Sequence, residues 1–274
     1  MIGADAEFFV KDLETGKPVP ACGLFGGAKG APKQLTKDLG ILEDGAAVEF
    51  NYTPSNDVQS FFMYTLRRTP RYLNQFFPKF AVIEKPYASF VGLKKYKQAM
   101  VIGCDSDYDA YAEYPDMPRD IPDISKFKNT RFAGLHIHLS YPSHNDLPAH
   151  IVARLIDLLV LAPLACNVHK TKFDMHLGGK RKEFYGIPGL HRPKPYGIEY
   201  RTFSNYMALP HCNSWGNLAA SFDIVHRLLQ DPANVNKMFS LYINTDWGAL
   251  RKAIVEYDLP TLEGLTRAAS KQLR

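Results

Sequence analysis

Four short segments share one design and constrain the fold more than anything else in the chain: residues 2–10, 46–53, 131–141 and 198–203. Each alternates polar and apolar residues with the period of a β-strand, whose side chains point to opposite faces in turn. Asp5 and Glu7 share a face opposite Ala4, Ala6 and Phe8; Glu49 and Asn51 share one opposite Val48, Phe50 and Tyr52. Gly134, His136, His138 and Ser140 oppose Ala133, Leu135, Ile137 and Leu139, and Glu199 and Arg201 oppose Ile198, Tyr200 and Thr202. A lone Glu-x-Arg reads best as a salt-bridged pair on a solvated sheet. Four such segments predict one sheet with a greasy face packed on helices and a polar face left as a floor.

The rest of the chain predicts what covers that sheet. Ser55 caps a helix whose stripe is Val58, Phe61, Phe62, Thr65 and Leu66, and Pro70 should end or kink it. Further helical stripes run through Ile151, Leu155, Leu158 and Ala162, through Leu218, Phe222, Val225 and Leu229, and through Leu250, Ile254 and Tyr257. Short strands are expected at 80–84 and 99–102, and a turn at Glu43-Asp44-Gly45. Glycines and prolines make 186–197 a series of turns before the strand at 198. The glycine-rich stretch 22–32 lacks the spacing of a P-loop or a dinucleotide fingerprint, so it reads as a flexible surface loop, with Lys29 in reach of an anion. The aspartate- and proline-rich stretch 103–128 lacks the spacing of an EF-hand and reads as an ordered lid or substrate loop.

Composition narrows the function classes. A chain of 274 residues can bury a full core, and the reading is one domain over 1–274, with 207–274 as its helical C-terminal part. The net charge of +5 comes without any dense basic run, which favours an anionic small molecule over nucleic acid. Cys22, Cys104, Cys166 and Cys212 form no CxxC pair, so a reduced cytosolic protein is expected. The N-terminus carries acids where a signal peptide needs basic residues. The longest apolar stretch, 151–165, contains Arg154 and Asp157 and is too short to span a bilayer, so no membrane partner is expected.

Carboxylates and imidazoles crowded on one sheet face repel and shift one another's pKa values, and divalent cations resolve that conflict. Oxygen ligands with one histidine favour Mg²⁺ or Mn²⁺. The cations Lys180, Arg181 and Lys182, then Arg192, Lys194 and Arg201, supply what a transferring phosphoryl group requires.

At this point the motifs resemble a family. Gly3-x-Asp5-x-Glu7-Phe8-Phe9 is similar to the first metal strand of glutamine synthetases and glutamate–cysteine ligases, Gly134-x-His136-Ile137-His138 to their glycine-histidine strand, and Glu199-Tyr200-Arg201 to their final Glu-x-Arg. EDGAAVEFN, GCDSDYDAY, GLHIHLS and RPKPYGIEYRTFSN resemble the phage-encoded carboxylate–amine ligases called amidoligase type 2. The resemblance covers residues 2–205 and leaves the helical tail outside. It implies an α+β, glutamine-synthetase-like catalytic domain with a curved, mainly antiparallel sheet and helices on one face. It also implies ATP-dependent amide formation through an acyl phosphate, with ADP and phosphate released. By position it implies Glu7, Glu49, His136 and Glu199 as metal ligands with Asp5 as a fifth, and His138 on the nucleotide phosphates. Arg201 would lie on the transferring phosphoryl group and Arg192 on phosphate or carboxylate, with Lys180, Arg181 and Asn205 in the nucleotide or substrate site. Asp5 departs from the family's glutamate by one methylene, and Glu43 and Asp44 are the nearby acids that would replace what is lost, unless they only cap a turn. The place of action would be the cytoplasm, the host's if the chain is phage-encoded. A metal-dependent hydrolase built on the His-x-His strand, or a non-catalytic phage protein keeping the fold, are the competing readings. The carboxylate, the amine and the oligomeric state are left open.

Overall fold

The computed structural model describes residues 1–100, 106–120, 127–142, 147–183, 185–209 and 211–274, without the side chains of Lys180 and Glu183. The four alternating segments form strands, and shorter elements join them. In chain order the strands are β1 (Ile2–Phe8), β2 (Val10–Asp12), β3 (Pro18–Val19), β4 (Lys33–Thr36), β5 (Leu39–Asp44), β6 (Ala47–Tyr52), β7 (Phe80–Val82), β8 (Tyr87–Ser89), β9 (Tyr108–Asp109), β10 (Thr130–Phe132), β11 (Leu135–Ser140), β12 (Leu190–Lys194) and β13 (Gly197–Tyr200). Eight of them form one antiparallel sheet in the order β4-β5-β6-β1-β11-β13-β12-β9. Two small sheets, β3-β2-β7 and β8-β10, flank it. The fold is mixed α and β, built on a mainly antiparallel sheet.

The register brings the four polar segments side by side. Glu7 faces Glu49 and Asp5 faces Asn51 across β1 and β6; on the other edge of β1, Asp5 faces His136 and Gly3 faces His138. His138 faces Glu199, and Glu199 faces Arg192 on β12. The opposite face carries Ala4, Ala6, Phe8, Val48, Phe50, Leu135, Ile137, Leu139, Ile198 and Tyr200, all buried in one apolar cluster with the helices. That cluster runs on into the tail, where Leu218, Phe222, Leu250, Ile254 and Leu262 belong to it. The helix Ala149–Asn167 is long and apolar enough to cross a membrane, longer than the apolar stretch suggested, but two-thirds of its apolar window is buried inside this fold.

Several local expectations change. Glu43 and Asp44 end strand β5, and the turn falls at Gly45 and Ala46. The segment 186–197 holds a real strand, β12, and β13 stops at Tyr200, so Arg201 leaves the sheet edge-on. Residues 131–141 split at Ala133 and Gly134 into β10 and β11. Lys97–Met100 is a 3₁₀ turn rather than a strand, and 101–102 lie outside the described residues. Asp57, whose carboxylate accepts from the Ser60 backbone N–H, caps the first helix in place of Ser55. Pro70 neither ends nor breaks that helical run: it sits in the first turn of Thr69–Phe76, after a π-helical and a 3₁₀ turn, where a missing N–H is harmless. Of the cysteines, Cys22, Cys166 and Cys212 are free, and Cys104 lies outside the described residues.

After the turn at Pro195 and Tyr196, β13 opens on Gly197 at φ 145°, with Leu139 O 2.3 Å and the Tyr141 ring 2.9 Å from where a Cβ would sit. Both the backbone angle and the space exclude a side chain. Gly197→Ala should therefore cost about 2–4 kcal/mol of stability, read as a lower midpoint of urea unfolding.

Candidate functional site

The polar face of the sheet floors a cavity of about 570 Å³ whose walls include Asp5, Glu7, Glu49, Asn51, His136, His138, Arg192, Lys194, Glu199 and Arg201. Of the eleven site residues expected from the sequence, eight therefore line one space: all five expected metal ligands, with His138, Arg192 and Arg201. Further parts of the wall come from the glycine-rich stretch (Lys29, Gly30 and Pro32), from Leu42 and Asp44 on β5, and from Tyr52, Pro54 and Tyr196.

The site has two chemically distinct halves. On β1, β5 and β6, Glu7, Asp44 and Glu49 place carboxylate oxygens within 4.8 Å of one another. Burial, then the repulsion of Asp5, Glu7 and Asp44, raises Glu49 to about 9; its hydrogen bond from Asn51 Nδ2 (2.8 Å) opposes this only partly. Burial and Asp44 raise Glu7 to about 7, against the pull of Arg201 and of the Gly134 N–H, which donates to Glu7 Oε2 at 2.7 Å. Asp44 is raised by burial too, with Lys29, Arg201 and Arg192 opposing. Three acids held together, each with its carboxyl raised, are a donor set of hard oxygens that fits a divalent cation such as Mg²⁺ or Mn²⁺.

On β12 and β13 the signs reverse. Glu199 is ringed by Lys194 Nζ (2.7 Å from Oε2), by Arg192 Nη1 (3.6 Å from Oε1) and by a close contact from Arg201 Nη1. Burial alone would raise its carboxyl, but Arg201 above all, with Arg192, outweighs burial and holds it well below the usual carboxylate range. Asp107 ties the two arginines together, with Oδ1 3.0 Å from Arg192 Nη2 and 2.8 Å from Arg201 Nε. His136 stands at the boundary. Its Nδ1 accepts from Arg201 Nη1 at 3.0 Å, and its Nε2 lies 3.6 Å from Glu7 Oε1. Burial, then Arg201, depresses its pKa strongly, so it is neutral, with its one N–H on the Glu7 side.

Asp5 stands apart from the acid trio. Asn51 Nδ2 donates to its Oδ1 at 2.8 Å, and its Oδ2 lies 2.9 Å from His138 Nε2. His138 Nδ1 is 2.5 Å from the hydroxyl of Tyr196. Both ring nitrogens of His138 are thus engaged by protein groups. The trio's third acid is Asp44, not the shortened Asp5.

Two expected residues lie elsewhere. Arg181 is buried beside the cavity wall, with Nη1 donating to Thr202 O (3.0 Å) and Nη2 to Arg201 O (3.2 Å); it braces the chain at Arg201 rather than facing the cavity. Burial lowers its pKa to about 10, against the attraction of Glu7. Gly134 makes room for it: a Cβ there would fall 2.8 Å from both Arg181 Nη2 and His136 Nε2. Asn205 is fully buried at the start of a 3₁₀ turn and does not line the cavity, because the chain has turned under the sheet by then. Lys180 belongs to the 3₁₀ turn Gly179–Glu183, and its side chain lies outside the described residues.

The glycine-rich stretch is pinned rather than loose. The Glu43 carboxylate accepts backbone N–H groups from Gly23 (2.6 Å), Phe25 and Gly26 (2.8 Å each), and Phe25 is buried against Phe77 and Phe80. Gly27, at φ 79°, has Ile41 O 2.3 Å from its missing Cβ. Glu43 therefore anchors the loop that carries Lys29 to the rim, while its neighbour Asp44 points into the acid trio.

Comparison with protein-family models, with curated proteins and with solved structures returns no match.

The raised acids set a pH dependence. A carboxyl raised in the fold keeps a proton that the unfolded chain has released, so its contribution is complete near pH 4.5 and is lost as pH climbs through 7 and 9. Without divalent metal, melting temperature should fall between pH 7 and 9, a window in which Glu199 and His136, shifted downward, no longer titrate. Glu49→Gln should flatten that slope and stabilise the metal-free protein at pH 9 by roughly 1–2 kcal/mol. An unchanged slope would show that Glu49 is ionised throughout.

Proposed function

We propose that the chain is an ATP-dependent carboxylate–amine ligase with a glutamine-synthetase-like catalytic sheet. The observation that carries this reading is the pairing, across one cavity, of an oxygen-donor trio with an arginine pair braced by a common aspartate. Glu7, Asp44 and Glu49 would hold divalent cations, with His136, Asp5 and Glu199 next to them on the floor. Such cations supply charge neutralisation for the phosphates of ATP. The family likeness of the Glu-x-Arg and Gly-x-His-x-His strands supports the same reading.

The roles of the chain's own residues follow from their positions. Arg201 and Arg192, fixed by Asp107 and Glu199, present planar forks to the γ-phosphoryl group as it passes to a substrate carboxylate. The product of that step is an acyl phosphate with ADP as leaving group. An amine then attacks the acyl carbon, and phosphate departs. Arg181 bracing the backbone at Arg201 and Thr202 keeps the fork in place.

The test is a matrix of carboxylates and amines with ATP and Mg²⁺ or Mn²⁺, read as nucleotide product. ADP and phosphate should appear, and faster when both partners are present. AMP and pyrophosphate, or amide hydrolysis without ATP, would replace this reading. Arg201→Lys separates catalysis from charge balance. It should bind nucleotide nearly as well while kcat falls by about 10²–10³, because an ammonium cannot place paired donors.

A further inference from the structure

Behind the sheet, on the side away from the cavity, one carboxylate is wholly buried. Asp157 lies in the helix Ala149–Asn167, at the start of a π-helical turn, Asp157–Leu161. A tyrosine claims each of its oxygens: the Tyr200 hydroxyl donates to Oδ1 in a close contact, and the Tyr111 hydroxyl to Oδ2 at 2.8 Å. Shape alone gives no reason for an acid here, since burying a carboxylate costs more than an apolar side chain of similar size.

Each tyrosine leads back to the cavity. Tyr200 is the β13 residue between Glu199 and Arg201, held between Ile137 on β11 and His191 on β12. Tyr111 closes the segment 107–111, whose first residue, Asp107, touches both Arg192 and Arg201. That segment is tied down further by the tail: Arg251 pairs with Asp109 at 2.8 Å and lies over the Tyr111 ring, and Arg154 lies against the same ring. Gly189, at φ 84°, leaves space that a Cβ would take from Tyr111.

We infer that Asp157 is a positioning residue for the cationic half of the cavity: through Tyr200 and Tyr111 it fixes the end of the strand from which Arg201 follows and the segment whose Asp107 aligns Arg201 with Arg192. In catalytic terms this rests on the proposed function, which gives the arginines their phosphoryl group; the mechanical linkage stands apart from it. Groups one step behind a reacting site commonly change activity 10–100-fold when removed.

The experiment reads the arginines directly. The full chain is labelled with ¹⁵N-arginine, and the Nε–Hε resonances of Arg192 and Arg201 are assigned from Arg192→Lys and Arg201→Lys. They are then followed in Asp157→Asn and Tyr111→Phe. Tyr111→Phe deletes one hydroxyl without changing the ring's packing, so the test survives if Asp157→Asn fails to fold. The expected result is displacement of both resonances and faster exchange of their protons with solvent. Unchanged resonances beside a lowered melting temperature would overturn the inference and leave Asp157 a structural residue. Wild-type protein without ATP cleavage would sink the ligase reading while leaving this measurement intact.

Discussion

Like charge held close on a buried surface is the constraint on which the rest of this structure depends. Glu7, Asp44 and Glu49 gather within 4.8 Å because three neighbouring strands, β1, β5 and β6, each turn an acid to the same side. In water they would separate; here the antiparallel ladder forbids it, since moving one means slipping a strand by a residue and exposing its whole apolar face. The cost of holding them appears in the raised carboxyls of Glu7 and Glu49. Core packing beneath the sheet, with Phe8, Val48 and Phe50 fully buried, supplies the energy that holds the register against that repulsion.

The far half of the floor solves the opposite problem. Arg192, Lys194 and Arg201 would repel one another as strongly, and Glu199 and Asp107 sit between them as counter-ions. Two halves of opposite sign then meet at His136, which stays neutral and spans them by accepting from Arg201 and facing Glu7. A charged residue in its place would favour one half over the other. A neutral imidazole with one donor and one acceptor satisfies both.

The alternating segments were legible because period-two patterning survives in short strands even when their partners are far along the chain. It showed which face Asp5, Glu7, Glu49, His136, His138 and Glu199 share. Strand β12 was hidden by Pro193, which ordinarily speaks against a strand. The structure tolerates it because β9 pairs only with Leu190 and His191 on that side, so no ladder bond is missed at Pro193. Asp44 stood out as a candidate replacement for what Asp5 lacks, but its strand position was hidden for a related reason: Glu43-Asp44-Gly45 has the composition of a turn, and only the pairing of Asp44 with Ala47 on β6 makes it the last residue of a strand. Asp107 lay within the motif GCDSDYDAY but was given no role, since its value lies in two arginines distant in sequence.

The helical tail shows how far a site reaches beyond the residues that line it. Sequence likeness ends near Asn205, which suggests a tail that only closes the core. Yet Arg251, on the helix Trp247–Glu256, pairs with Asp109 and covers Tyr111, and Asp107 lies two residues before Asp109. Tyr242 and Trp247 surround Arg154, which donates to Ala110 O at 2.8 Å, so the same segment is held from two directions. A short edge strand of two residues cannot hold a carboxylate in register by its own ladder bonds. The tail supplies that rigidity through cation–π and ion-pair contacts, each modest and partly shielded from solvent. Removing the tail would therefore do more than expose the underside of the sheet. It would loosen Asp107 and, with it, the spacing of the two arginines on the opposite face.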